Sequence, residues 1–130
     1  QRRLSGPLAD RFDLHLQLQP VDHSTLLSKG GGTPTKLSRS RVDAAITRQK
    51  SRSPNATNWQ NGHLSDAHIQ DICSLNASKR DFLEEAANAF SLSNRGLFKS
   101  LKVARTIADL DGSEHIKKTH LCEALSYRRC

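Results

Sequence analysis

The stretch SNRGLFKSLKVARTIADLDG, residues 93–112, decides the fold class, because it carries both a start signal and a stop signal for a long helix. The hydroxyl of Ser93 can accept a hydrogen bond from a free N–H group of the first helical turn. Asp111-Gly112 is a good C-terminal stop, since glycine adopts the left-handed backbone conformation without strain. The stretch therefore predicts a helix from residue 94 to about residue 110.

The rest of the chain after residue 62 has similar helical patterns. Ser65 can cap a helix that runs to about Cys73, Ser78 can cap SKRDFLEEAANAF, and Thr119 can cap a last helix, HLCEALSYRR. Apolar residues recur at helical spacing in the second of these: Phe82, Leu83, Ala86, Ala87 and Phe90. Together with the long helix, these segments predict a small helical bundle.

A further helix, joined to this bundle, is predicted from Leu37 to about Arg52. It is mostly basic, and Val42 and Ile46 form its apolar side. Its five positive charges are Arg39, Arg41, Arg48, Lys50 and Arg52. They could bind the phosphates of a nucleic acid, in a manner that depends on salt, or they could be the solvated face of a surface helix. Both interpretations stay open.

The front of the chain has a different pattern. In RFDLHLQLQ, residues 11–19, apolar and polar side chains alternate, which is typical of a half-buried β-strand. The chain offers no convincing second strand, and a lone strand leaves its backbone groups unpaired. The Gly-, Thr- and Pro-rich stretch before residue 37 is typical of a flexible linker. We therefore expect a mainly α domain preceded by an isolated strand segment that is extended or disordered.

Charge and composition favour an anionic partner. The 130 residues carry a formal net charge of +7, and residues 1–60 hold ten Lys and Arg against four Asp and Glu. Such an excess favours nucleic acid, nucleotide phosphates or an acidic surface. No apolar run approaches the roughly 18 residues of a membrane span, so we expect no membrane partner.

The cysteine spacing suggests the cellular compartment of the protein, and the first residue suggests that the chain is part of a longer protein. Cys73, Cys122 and Cys130 have no disulfide-framework spacing, which favours a reduced, cytoplasmic protein. The chain begins at Gln1 instead of a methionine. A piece excised from a longer protein would explain a strand without a sheet.

No complete catalytic or metal site is expected. KGGGTPTK, residues 29–36, lacks the second glycine of a phosphate-binding loop and the Ser or Thr after its lysine. Two loose groups of possible zinc ligands occur, which are His63, His68 and Cys73, and His115, His120 and Cys122. Neither has the spacing of a converging zinc set, so no metal site is expected. No signature of a Ser/His/Asp or Cys/His nucleophile is present, and the chain alone should be catalytically inactive.

Two arginines have both a structural and a functional interpretation. Arg11 lies at the start of the alternating stretch, between Asp10 and Asp13. Arg105 lies in the middle of the long helix and can pair with Asp109 four residues later, in the weaker orientation for such pairs. From residue chemistry alone, both arginines are interpreted as structural.

Three motifs change that interpretation. RLSGPLADRFDLHLQL, SRVDAAITRQKSR and LKVARTIADLDGSEHIKKTHLCEALSYR lie at residues 3–18, 40–52 and 101–128. In this order they resemble the C-terminal part of the magnesium-chelatase-like AAA+ ATPases of the YifB/ComM type. The resemblance covers nearly the whole chain. It implies that residues 1–36 are the last strand of an upstream AAA+ core with its linker, and that residues 37–130 are the helical lid.

The resemblance also implies roles for single residues. Arg11 matches the arginine finger, which reaches the γ-phosphate of ATP held by the neighbouring subunit. Arg105 matches the sensor-2 arginine of the lid, which contacts the γ-phosphate in its own subunit, and Lys102 is the alternative because alignments of AAA+ lids are loose there. ATP and Mg²⁺ would be bound by the parent protein and not by this chain alone.

The family further implies a homo-hexameric ring that converts ATP hydrolysis into movement. For the YifB/ComM type, the expected task is DNA remodelling and branch migration during natural transformation. The expected partners are the upstream AAA+ core of the same chain and DNA. Two other interpretations stay open: a stand-alone basic helical module that binds nucleic acid without ATP, and a subunit of a true magnesium chelatase.

Overall fold

A computed structural model describes residues 5–28, 30, 32, 34–55 and 57–128. Within these ranges the protein is mainly α, as predicted, and no β-strand occurs. The α-helices of the described ranges are α1 (Gly6–Ala9), α2 (His23–Leu27), α3 (Thr35–Arg52), α4 (Asp66–Cys73), α5 (Ala77–Ala89), α6 (Asn94–Leu110) and α7 (Lys118–Ser126). A 3₁₀ turn, Asn61–His63, lies between α3 and α4.

Helix α6 is the centre of the bundle, and it packs against α3, α4, α7 and the 3₁₀ turn. Ala104 and Ala108 lie one turn apart on α6 and are fully buried. Their small side chains allow the neighbouring helices to approach closely. Ile69 of α4 and Leu121 of α7 pack into the same core and are also buried. Burial of such a side chain stabilises the fold by about 1.5–3 kcal/mol.

The predicted ends of α4 and α6 are confirmed. The hydroxyl of Ser93 accepts from the N–H of Gly96 at 3.0 Å, and that of Ser65 accepts from the N–H of His68 at 3.2 Å. Gly112, with a φ of 71°, follows α6 in the left-handed conformation. These caps are local signals, so the sequence alone was sufficient to find them.

Helices α5 and α7 begin two residues earlier than predicted. Asn76, and not Ser78, caps α5 by accepting from the N–H of Lys79 at 2.9 Å. Asn is as good an N-cap as Ser, and the earlier cap adds helical residues. Lys117, and not Thr119, is the N-cap of α7, where Nδ1 of His120 accepts from the N–H of Lys117 at 3.0 Å. Helix α3 also begins two residues early, after Pro34.

The front segment is extended between α1 and α2, two one-turn helices that the pattern did not predict. The N–H of His15 donates to the carbonyl of Tyr127 at 2.9 Å, which attaches the segment to the bundle. The apolar row stays uncovered, since Leu16 is 66% exposed and Leu18 is 89% exposed. In the predicted linker, Lys29, Gly31 and Thr33 lie outside the described residues.

Candidate functional site

Arg105 lies in the middle of α6 and is 3% exposed. Its Nε donates to Oδ1 of Asp109 at 3.2 Å, so the predicted pairing within the helix is confirmed. Its Nη1 donates to the carbonyl of Glu114 at 2.9 Å, and its Nη2 donates to the carbonyl of Ser113 at 2.7 Å. All three nitrogen atoms of the guanidinium are therefore engaged within the chain, and they fix the loop that follows α6.

Asp109 is the acceptor that joins three parts of the fold. It is fully buried, and besides Arg105 its carboxylate binds Nη2 of Arg52 from α3. Nδ2 of Asn61, in the 3₁₀ turn, donates to its Oδ2 at 3.0 Å. The N–H of Asn61 in turn donates to Oε1 of the buried Gln49 at 3.1 Å. A buried carboxylate is tolerated only when it is paired and hydrogen-bonded, and both conditions are met here.

Two more arginines of α3 bind the C-terminal end of α6. Nη1 of Arg48 donates to the carbonyl of Asp109 at 2.7 Å, and Nε of Arg41 donates to that of Leu110 at 3.4 Å. The last carbonyls of a helix have no partner within the helix and carry a partial negative charge, so cations are favourable there. Arg41, Arg48 and Arg52 thus dock α3 on α6, a role that the charge pattern did not indicate.

The other two predicted phosphate-binding residues of α3 face away from this contact. Nζ of Lys50 lies 5.0 Å from the ring centroid of Trp59, a cation–π distance. Arg39 is exposed on the N-terminal half of α3. Of the five predicted residues, these two are the ones that do not bind α6 in the structure.

A cleft of about 420 Å³ lies along the first half of α6. Its cations are Arg95, Lys99 and Lys102, at positions i, i+4 and i+7 of one helix face. Asp13 and Asp66 supply its acids. Lys99 forms an ion pair with Asp13, whereas Nζ of Lys102 lies 3.9 Å from Oδ1 of Asp66, a long pair. The cleft can therefore receive an anionic group.

Arg95 and Lys99 are the two cations of this cleft that the sequence analysis missed. Arg95 lies in the first turn of α6 and is exposed. The signal was present, because residues 95, 99 and 102 form a cationic stripe as soon as the helix after Ser93 is accepted.

Arg11 lies just after α1 and is exposed. Within the described ranges, its guanidinium has no ion-pair partner. The residues on each side of it are held: Oδ2 of Asp10 accepts from the hydroxyl of Ser93 at 2.6 Å, and Asp13 pairs with Lys99. The structure thus places Arg11 beside the cleft of α6, and Arg105 away from it.

Among the described residues, three titratable groups have shifted pKa values; one of them is Tyr127, where the hydrogen bond to the carboxylate of Glu123 raises the pKa of the hydroxyl. Nε2 of His120 lies 2.9 Å from Oδ2 of Asp111, and this hydrogen bond lowers the pKa of the Asp111 carboxyl. Burial raises the pKa of the Cys73 thiol to about 12.

Across the described ranges, no three His, Cys, Asp or Glu side chains are grouped so that they could hold a metal ion. None of the described helices combines the length and apolarity that a membrane crossing requires.

The fold and the cleft define the protein as a small helical domain with an anion-receptive face, preceded by an extended segment. The chain belongs to the family described as magnesium chelatase, subunit ChlI C-terminal, whose family model matches residues 32–128. This membership confirms the resemblance and supports a lid role for the helical domain.

Curated relatives match over nearly the whole chain. The competence protein ComM of Haemophilus influenzae is 36% identical over 126 residues, which are 97% of this chain and 24% of that protein. YifB of Escherichia coli is 41% identical over 128 residues, again 97% of this chain and 24% of the relative. YifB of Salmonella typhimurium is 39% identical, with the same coverage. The chain therefore spans about a quarter of the length of these relatives.

Proposed function

We propose that this chain is the lid of a magnesium-chelatase-like AAA+ ATPase together with the last strand of its core. In this proposal, Arg11 is the arginine finger that stabilises the transition state of ATP hydrolysis in the neighbouring subunit. The observation that carries it is the position of Arg11. A finger must point away from its own subunit, and this guanidinium is exposed on a segment whose flanking residues are held.

Uncovered apolar residues support an upstream core as partner of the segment. In the described ranges, every large exposed apolar side chain falls between residues 8 and 42. Exposed rows of this kind are normally covered by another surface. The alternating residues 12–18 would be covered by the neighbouring strands of an upstream sheet. ATP and Mg²⁺ would be bound by that core, because this chain has no phosphate-binding loop of its own.

The contacts of the two sensor-2 candidates favour Lys102 over Arg105. To reach a phosphate, Arg105 would have to leave Asp109 and the two carbonyls that it binds. Lys102 lines the open cleft and holds Asp66 only at 3.9 Å. Arg95 lines the same cleft and adds a second cation. We therefore propose that Lys102, with Arg95, faces the γ-phosphate and that Arg105 keeps a structural role.

A finger that acts on a neighbour requires an assembly, and we propose a homo-hexameric ring. The name of the Haemophilus influenzae relative, competence protein, associates that protein with competence. We propose that the parent of this chain moves DNA, with branch migration in natural transformation as its task. Arg39 and Lys50 remain available for DNA phosphates. The stand-alone DNA-binding alternative is less well supported, because three of the five α3 cations bind α6.

ATP turnover by the intact parent protein, with and without branched DNA, tests this proposal. We expect stimulation by DNA, and a loss of at least about tenfold in turnover for Arg11→Ala, which corresponds to about 1.4 kcal/mol of transition-state stabilisation. Lys102→Ala should also lower turnover. Wild-type turnover by Arg11→Ala would contradict the finger assignment. Stimulation by a porphyrin-loaded partner in place of DNA would instead favour a magnesium chelatase subunit.

A further inference from the structure

The loop that carries Arg11 is closed on itself and attached to the bundle. Nε2 of His15 and the carbonyl oxygen of Ala9 lie 3.1 Å apart across its base. The backbone N–H of the same histidine donates to the carbonyl of Tyr127, after α7, at 2.9 Å. Residues 9–15 therefore form one unit, with Arg11 inside it, and the unit has a fixed end on the bundle.

The residues that flank Arg11 are both held by the first half of α6. Before it, the carboxylate of Asp10 accepts from Ser93, the N-cap of α6, at 2.6 Å. After it, Asp13 forms an ion pair with Lys99 of α6.

Lys99 also contacts the arginine's own backbone. Its Nζ lies 3.5 Å from the carbonyl oxygen of Arg11, while it pairs with the carboxylate two residues later. The Lys99 side chain is 19% exposed, so most of it is packed along α6. An ordered lysine that binds both a backbone and a side-chain oxygen of one loop restricts where that loop can lie.

The position of Lys99 joins this loop to the cleft. It lies between Arg95 and Lys102 on the cationic face of α6. One rigid helix thus carries the cations that face the cleft and the ammonium group that holds the loop of Arg11. A displacement of α6 at the cleft would be transmitted to the loop.

We propose that Lys99 is a positioning residue for Arg11. It holds the loop in the geometry from which the arginine reaches the neighbouring subunit, and through α6 it couples the nucleotide site of one subunit to that of the next. This inference rests on the proposed function of Arg11 as an arginine finger. Lys99 itself need not touch the nucleotide.

Steady-state ATP turnover by the parent protein tests whether Lys99 positions Arg11. Lys99→Met keeps most of the side-chain stem and removes the charge. We expect kcat to fall about tenfold and KM for ATP to change by less than about twofold, because a finger acts mainly in the transition state. Lys99→Arg, which keeps a cation, should recover most of the turnover. Lys79→Met, in α5 and outside these contacts, is the matched control and should turn over like the wild type.

A double variant separates positioning from an independent effect. If Lys99 acts through Arg11, then Arg11→Ala/Lys99→Met should be no slower than Arg11→Ala alone, since coupled residues are not additive. Multiplied losses overturn the inference, as does a Lys99→Met protein whose KM rises while kcat stays unchanged. Asp13→Asn, a change at an exposed partner, should lower kcat in the same way and provides the test if Lys99→Met does not fold.

The Arg11→Ala variant distinguishes the proposed finger role of Arg11 from the proposed positioning role of Lys99. Wild-type turnover by Arg11→Ala defeats the finger assignment, and the positioning role falls with it. If Arg11→Ala is impaired while Lys99→Met and Asp13→Asn turn over like the wild type, the finger stands and only the positioning role is overturned.

Discussion

Arg105 and Asp109, one helical turn apart in α6, form an ion pair in the interior of the domain. Nη2 and Oδ1 lie 3.1 Å apart, and the side chains are 3% and 1% exposed. An exposed pair of this spacing would contribute a few tenths of a kcal/mol. In the interior the consequence of breaking it is larger, because the remaining charge stays buried without its partner.

The first prediction concerns the stability of this pair. Arg105→Met should lower the free energy of unfolding by about 3 kcal/mol, since it leaves the buried Asp109 carboxylate one cation short and two loop carbonyls without donors. Urea unfolding of the chain, followed by circular dichroism, measures the change. Arg95→Met, on the exposed face of the same helix, is the control and should stay within about 0.5 kcal/mol. Equal effects of the two variants would contradict the buried-pair interpretation.

The pair of Arg105 and Asp109 shows which features of the fold can be predicted from the sequence. The helix, its Ser93 cap and the spacing of Arg105 and Asp109 are all local features, so the pairing could be predicted before the structure was known. The alternative role of Arg105 as a phosphate sensor could not be judged from the sequence, because it requires that the side chain of Arg105 is not buried. Burial is decided by how α3 and the 3₁₀ turn pack on α6.

The docking of α3 on α6 could not be predicted from the sequence. Arg48 and Arg52 bind Asp109, from which they are separated by 61 and 57 positions in the sequence. A local sequence pattern does not predict a contact between residues so far apart. The weak apolar side of α3 also suggested a solvated helix. The starts of α5 and α7 were misplaced for local reasons. At α5, Asn76 and Ser78 are equally good N-caps, and the local signal does not rank them. At α7, the local preference favours Thr119, but the N-cap is Lys117, whose N–H donates to the side chain of His120.

The second prediction concerns the docking of α3. Arg48→Ala should lower the free energy of unfolding by about 1 kcal/mol, since it removes a charged hydrogen bond to the C-terminal end of α6 at a partly exposed site. Arg39→Ala is the matched control on the same helix and should leave stability unchanged. Chemical denaturation of both variants at low salt measures the difference. If Arg39→Ala destabilises the chain as much as Arg48→Ala does, α3 is not held by the contacts described.

The third prediction concerns pH. The hydrogen bond from His120 lowers the pKa of Asp111 below its ordinary value of 3.8. The folded state therefore holds the charged carboxylate more tightly than the unfolded state does. This contribution is complete above the ordinary pKa and is lost as pH falls through the folded value. The stability difference between the wild type and Asp111→Asn should therefore shrink as pH falls below about 4.

Carbon-detected NMR titration of the Asp111 carboxyl tests the cause of this shift. In the wild type the midpoint should lie below the ordinary range for aspartate. In His120→Gln it should move upward, because the hydrogen bond is the largest cause of the lowered pKa. An unchanged midpoint in His120→Gln would assign the shift to the neighbouring cations instead.

The last prediction uses the two described cysteines as a matched pair. Cys73 lies in the core, 4% exposed, and burial raises the pKa of its thiol to about 12, whereas Cys122 is exposed on α7. Only the thiolate is nucleophilic, so at pH 8 iodoacetamide should alkylate Cys122 at least about 100-fold faster than Cys73. Peptide mass spectrometry measures both rates in one sample. In 8 M urea the two rates should converge, because burial is lost, and similar rates without urea would place Cys73 outside the core.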